Sequence, residues 1–507
     1  MQTHTKFLSI ALLSAFYSYS LSAQEIASYD SYARGFKIVQ SAFQEIGDRQ
    51  NVGAIQNVAI KYQEFNSSRG QGIKPTSGNT MDEGGESTLI FDAANQRSYH
   101  QRSLQRRGRL FNPVIVLKDE GSFFYWPETK ELNTHLDTDV VFGSFNFRFA
   151  YPQKLLPHVL LQNAMQNRST IRWEGEQKID GKVNDIVSFV HSDGSLITAL
   201  VERETSLLKK TEELFNDFAK GDVSGEVKYS DYQTYSGVLI PRKISFHLSR
   251  ELIREMKISS IEVNQPLDLA LFDPPSGIDE SDYQASFRPQ RIAEGVFFMP
   301  LYSGTGIPYN SMFVVFDEYV MVLDAPLSDF LSHIYIQIIG QVAPGKPIKY
   351  VVPTHHHSDH IGGIRRFMAH GATIVASPGN ESYFRQLSKV KSLLAPLLLS
   401  IDPDNLSFDL VKEKRVYADD SKEIEIYNVG PNPHAEEILI AYLAKPKVLY
   451  VTDLFWVPLI DGHYPSARET LRDFGKKIER LGLDVEVIVP GHGRVGTIED
   501  LKNALNK

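Results

Sequence analysis

The sequence predicts a two-domain α+β protein: an antiparallel, half-barrel-like β domain, then a domain in which helices pack outside sheets. One helical stretch near the N-terminus is followed by strand-like segments up to Val263, several with period-two alternation. Beyond Pro289 the pattern changes to short apolar strands alternating with helices. A length of 507 residues allows two or three separate cores.

In chain order, residues 1–23 carry Lys6, an apolar run from Phe7 to Phe16 and the small-residue ending Leu21-Ser22-Ala23. That is the pattern of a cleaved secretory signal, and the run is too short to span a bilayer. The mature chain is expected to be exported, periplasmic or extracellular. Phe36, Val39, Phe43 and Ile46 then recur at helical spacing, with Gly47 as a stop. Asn57 to Phe65, Ser87 to Asp92, Pro113 to Leu117, Ile186 to Val190, Leu196 to Glu202, Val238 to Leu248 and Ser259 to Val263 read as strands. Ser67 to Glu86, rich in Gly, Ser, Thr and Asn, reads as a loop or a disordered excursion. A helix followed by antiparallel strands predicts one curved sheet folded round that helix.

The polar stretch Asp279 to Pro289 separates a first domain, 24–285, from a second, 286–507. In the second, Met312 to Phe316 and Tyr319 to Leu323 form a hairpin across Asp317-Glu318. A helix from Ser328 to Val342, a strand from Ile348 to Thr354, a helix from Ile361 to His370 and a strand from Ala372 to Ala376 follow. An insert at 378–410 contains the apolar run 393–399, which suits either a lid over a hydrophobic substrate or a packed helix. Strands at Glu423 to Val429, Glu437 to Leu443, Lys447 to Thr452 and Val485 to Val489, with a helix from Ala467 to Leu481, complete the pattern.

Composition narrows the chemistry. With no Cys, the chain has no disulfide, thiolate metal site or cysteine nucleophile, so any metal must sit on His and carboxylates. A formal charge of −9, from 62 acidic and 53 basic residues, lacks the positive field that nucleic-acid binding uses. Arg97, Arg102, Arg106, Arg107 and Arg109 read as a solvated charge run.

Residues 354–360 read Thr-His-His-His-Ser-Asp-His, at the end of an apolar strand and the start of a helix. His355, His357, His360 and the Asp359 carboxylate divide more comfortably between two ions than they crowd one tetrahedral ion. His434, Asp453 and His492 each lie just past the C-terminal end of a later strand, where a shared site would need them.

The segment His355-x-His357-x-Asp359-His360, with His434, Asp453 and His492 in that order, resembles the metallo-β-lactamase superfamily. Val322 to Pro326 and Val489 to Gly496 are similar to that family's first and last conserved strand ends. The resemblance covers about 288–507 and implies an αββα sandwich. It also implies that His355, His357 and His434 hold a first zinc, that Asp359, His360 and His492 hold a second, and that Asp453 bridges them. Asp324 would orient a ligand or the turn from behind. His356, His370 and His463 are read as ordinary surface or core histidines, with His463 a candidate cleft residue.

Two Zn2+, with iron or manganese as alternatives, would make a bridging hydroxide available at neutral pH and polarise a carbonyl. Asp359 and Asp453 would be the catalytic carboxylates, Asp359 passing a proton to the leaving atom. The expected substrate is a small carbonyl compound, a lactone, ester or thioester before a β-lactam, with no nucleic-acid partner. The segments Gly225 to Tyr232, Gly237 to Pro241 and Phe272 to Pro275 look like later strands of the periplasmic lipoprotein-carrier fold. That likeness implies a hydrophobic ligand or lipid at the first domain. A lipid- or lipoprotein-binding module with a structural metal domain, and an iron-dependent oxygenase, are the alternative functions.

Overall fold

The computed structural model describes residues 28–67, 69–79, 81–106, 109–128, 130–134, 151–278, 288–302, 308–325, 327–458, 464 and 467–507. The expected signal segment and His463 lie outside them. The N-terminal part is one 13-stranded sheet. It runs from Glu131–Asn133 at one edge, through Asn57–Ser67 and Glu251–Val263 at its centre, to Arg172–Ile179 at the other. Neighbouring strands are antiparallel throughout.

One face of this sheet is covered by the helix over 28–46 and by a second helix, Pro157–Gln166. Val39, Phe43 and Ile46 of the first, and Leu160, Leu161 and Ala164 of the second, share a core with Val58, Ile60, Phe91, Val187, Phe189, Ile244 and Phe246. The apolar face of the sheet is therefore occupied by the chain's own helices. The strand Leu208–Asp217 has little apolar alternation in sequence because its charges pair across the ladder, Lys210 lying 3.2 Å from Glu226.

The C-terminal part holds a seven-stranded and a six-stranded sheet. Phe298, Met312, Val314 and Leu323 of the first meet Ile424, Ile426, Leu439, Leu443 and Tyr450 of the second in one core. On the far side of the seven-stranded sheet, helices Asp329–Val342 and Ile364–Ala369 bury Tyr335, Ile339 and Phe367. Helices Glu469–Leu481 and Ile498–Leu505 bury Phe474, Ile478 and Leu501 against the other sheet.

Val320–Leu323, Ile348–Val352 and Thr373–Ala376 run parallel, as do Val448–Thr452 and Val487–Pro490. Their C-terminal ends therefore open on common edges, where the loops carrying chemistry begin. The expected helix from Ile361 to His370 is two shorter ones, Ser358–Ile361 and Ile364–Ala369. The break falls at Gly362-Gly363, where backbone and helix crowd: a Cβ on Gly362 would stand 2.2 Å from the Leu327 carbonyl oxygen. The insert is docked on the N-terminal sheet, with Ser392 Oγ donating to Asp222 at 2.5 Å. Its Phe384, Leu387 and Leu398 join the core, while Leu393 and Leu394 face solvent.

Candidate metal centre

The seven expected ligands converge. His355, His357, His434 and Asp453 form one group, and Asp359, His360, Asp453 and His492 a second, with the donor atoms within each group inside 4.8 Å of one another. Asp453 belongs to both. Its Oδ2 lies 3.1 Å from His434 Nε2, and its Oδ1 lies 2.7 Å from His360 Nε2 and 3.1 Å from His492 Nε2.

The rings of His360 and His355 and the backbone of His434 are held by neighbouring groups. Asp324, fully buried at the end of Val320–Leu323, contacts His360 Nδ1 at 2.8 Å through Oδ2. The same oxygen accepts from the Tyr450 hydroxyl at 2.7 Å, while Oδ1 accepts from the Thr354 amide at 2.8 Å. Asp324 thus orients both a ligand and the turn, the two roles considered for it from sequence. His355 Nδ1 lies 3.1 Å from Thr354 Oγ1, which turns its Nε2 toward His434 Nε2, 3.1 Å away. Asn432 Oδ1 accepts from the His434 amide at 2.8 Å, and Asn432 Nδ2 donates to Asp473 at 2.7 Å, tying that loop to the helix Glu469–Leu481.

Asp359 Oδ2 lies 3.4 Å from His492 Nε2 and 3.8 Å from His360 Nε2. Gly491 leaves room for the cluster, since a Cβ there would stand 2.8 Å from His360 Cε1 and 3.0 Å from Asp453 Oδ1. His492 packs between Tyr309 and the half-exposed Trp456, with ring centroids 4.8 and 5.2 Å away.

The electrostatics suit a cation. Burial, then neighbouring imidazoles, pushes His355 well below its ordinary value, and burial with His434 pushes His357 down to about 3. Burial also opposes charge on His360, but Asp453, Asp324 and Asp359 outweigh it and raise that ring well above the ordinary value. Burial is likewise outweighed at His492, which Asp453 and Asp359 lift to about 9. Burial works against the ionised forms of Asp453 and Asp359, yet His360 and His492 hold both well below the carboxylate range. Ionised carboxylates thus face imidazoles that either are neutral or hold protons a divalent ion would replace. His357 Nδ1 is buried with no hydrogen-bond partner, as a ligating nitrogen would be. The donor set is all N and O and fits zinc or another first-row ion.

His356 and His370 belong to neither group. Residues that carried no sequence signal also shape the site. Tyr450 and Thr452 line its floor, and Gly70 to Lys74, from the loop between strands Asn57–Ser67 and Met81–Asp92, reach it from the N-terminal sheet.

Residues 304–492 match the model of the metallo-beta-lactamase superfamily. Similar solved structures include the DIM-1 metallo-beta-lactamase, 20% identical, covering 43% of this chain and 95% of that one with a TM-score of 0.35. A metallo-beta-lactamase from Pontibacter korlensis is 19% identical, covering 44% of this chain and 98% of that one with a TM-score of 0.35. TMB-1 is 21% identical, with coverages of 43% and 94% and a TM-score of 0.33.

Proposed function

We infer that this chain, a metal-dependent hydrolase of the metallo-β-lactamase superfamily, is an exported enzyme that holds two zinc ions and hydrolyses a small lactone, ester or thioester. The observation that carries the reading is Asp453, whose two oxygens face different groups of ligands. His355, His357 and His434 would hold one ion, Asp359, His360 and His492 the other, and Asp453 would reach both. Bound there, the ions would supply Lewis acidity, polarising a carbonyl and lowering the pKa of coordinated water toward about 7.

The chain's own groups do the rest. Asp324, Thr354 and Asn432 fix the rings or backbone of the ligating histidines, so that little reorganisation is needed when substrate arrives. Asp359 lies in the same cleft and is placed to accept the proton of the attacking water and return it to the leaving atom. Tyr309 and Trp456, beside His492, give the cleft an aromatic wall suited to an apolar acyl or lactone ring.

The test is metal analysis of the purified mature protein joined to a panel of lactones, aryl esters, thioesters and β-lactams. Close to two zinc per chain and turnover of a lactone or ester are expected. Full activity after complete metal removal, or a metal-replete enzyme inert on every carbonyl class, overturns the reading. N-terminal sequencing of the secreted form should begin at Gln24.

A further inference from the structure

Six backbone or side-chain contacts tie the loop at residues 70–74 to the metal-ligand loops of the C-terminal part. The Ser358 amide donates to the Gly70 carbonyl at 3.3 Å, and Gln71 Nε2 donates to Asp359 Oδ1 at 2.8 Å. The Gly72 carbonyl faces two imidazoles, His356 Nε2 and His357 Nε2, each at 2.9 Å. The Glu436 amide donates to the Ile73 carbonyl at 2.9 Å, and Lys74 Nζ lies 2.9 Å from the Glu436 carboxylate. The loop therefore bridges the turn that carries His355 to His360 and the turn that carries His434.

The pattern of contacts is chemically selective. A carbonyl oxygen can only accept, so His357 must present Nε2–H to Gly72, which fixes its tautomer and leaves Nδ1 as the ring's one lone pair. That Nδ1 is buried with no hydrogen-bond partner, and His357 belongs to the first ligand group. His356, which is no member of either group, shares the same carbonyl and so clamps the loop. Gln71 occupies Asp359 Oδ1 and leaves Oδ2 turned toward His492 and His360. The backbone is shaped for close approach: Gly70 has φ +67°, and a Cβ there would stand 3.3 Å from Ser358 Cβ.

We propose that the loop at 70–74 is an outer layer of the metal centre: the Gly72 carbonyl sets the ligating nitrogen of His357 and Gln71 positions Asp359, so that the N-terminal sheet governs metal affinity. This rests on the ligand assignment above. Gln71 is a positioning residue, acting through Asp359. Partners of this kind typically change metal affinity by about 10- to 100-fold when removed.

The test titrates the metal-free full chain with zinc and with cobalt(II), against a chelator of known affinity, for wild type, Gln71→Ala, Gln71→Glu and Gly70→Val. Gln71→Ala is expected to weaken the ion of the Asp359, His360 and His492 group by about 10-fold and leave the other unchanged. Gln71→Glu sets a carboxylate against Asp359 and should weaken that ion at least as much. Gly70→Val should lift the loop, weaken both ions and alter the cobalt(II) absorption bands. Thermal unfolding of each metal-free variant, close to that of wild type, shows that the fold is intact. Two ions bound with wild-type affinities and spectra in all three variants would overturn the proposal while leaving the hydrolase reading standing. A wild-type chain that binds no ion would overturn both.

Discussion

Asp324 Oδ2 lies 2.8 Å from His360 Nδ1, and this contact, with the Thr452 hydroxyl 3.3 Å from the same nitrogen, leaves Nε2 turned to Asp453. Both groups are buried, so a misaligned pairing is not relieved by water. Asp324→Asn keeps the shape but places an amide, which donates where the carboxylate accepts, against His360 Nδ1 and the Tyr450 hydroxyl. Metal affinity measured by chelator competition should fall by about 10- to 100-fold. An unchanged affinity would mean that His360 is held in place without it.

The two carboxylates of the site should separate by stoichiometry. Asp359 belongs to one ligand group and Asp453 to both. Asp359→Ala should reduce bound zinc from two to one per chain, leaving the His355, His357 and His434 group filled. Asp453→Ala should reduce it below one at the same free zinc and cut hydrolysis about 1,000-fold, ~4 kcal/mol in barrier. Equal metal content in the two variants would refute the shared role of Asp453.

Gly491 offers a test that removes no ligand. Its missing side chain is what lets His360 and Asp453 approach, since a Cβ would come within 3.0 Å of each. Gly491→Ala must push the ring or the carboxylate aside, and displacements near 1 Å at a reacting centre cost about 100-fold. Activity should drop by that order with the unfolding temperature little changed. Wild-type turnover in this variant would show that the cluster has slack.

The convergence of this His and Asp cluster was legible in sequence because several of its members sit just past strand ends, and strand ends are readable: His355 after Ile348–Val352, Asp453 after Val448–Thr452, His492 after Val487–Pro490. The parallel strands within each mixed sheet open their C-terminal ends on a common edge, so order along the chain was enough. The partners that orient the ligands were less legible. Asp324 was expected, but Tyr450 sits mid-strand in an apolar run and reads as core, which it also is. Gln71 and Gly72 lie in a Gly- and Ser-rich stretch far along the chain from the site, Gln71 being 288 residues from Asp359, and such composition reads as a loop or a disordered excursion. In the N-terminal sheet, segments with clear alternation were found, whereas Leu208–Asp217 hid behind charges that find their partners in the folded structure, Lys210 on Glu226 and Glu213 on Lys154. The helix Pro157–Gln166 was missed because its apolar residues, the run Val159 to Leu161 and the pair Ala164 and Met165, are few and give a weak stripe.

Away from the metal, His158 gives the N-terminal part a dependence on pH. It is buried in the helix Pro157–Gln166, both ring nitrogens lack a hydrogen-bond partner, and burial pushes its pKa down from 6.5 to about 4. At pH 5 the unfolded chain holds a proton on this ring and the folded chain does not, so the unfolded state binds more protons and stability falls as pH drops from 6.5 toward 4. Between pH 8 and pH 5 the loss from this group is about 2 kcal/mol. His158→Leu removes the titrating ring and its two unsatisfied nitrogens, so the variant should lose less stability over that interval, and be the more stable protein at pH 5. Urea unfolding of both proteins at pH 8 and pH 5 measures the difference. Parallel losses would place the ring's acid-state proton in contact with water and remove His158 as the cause.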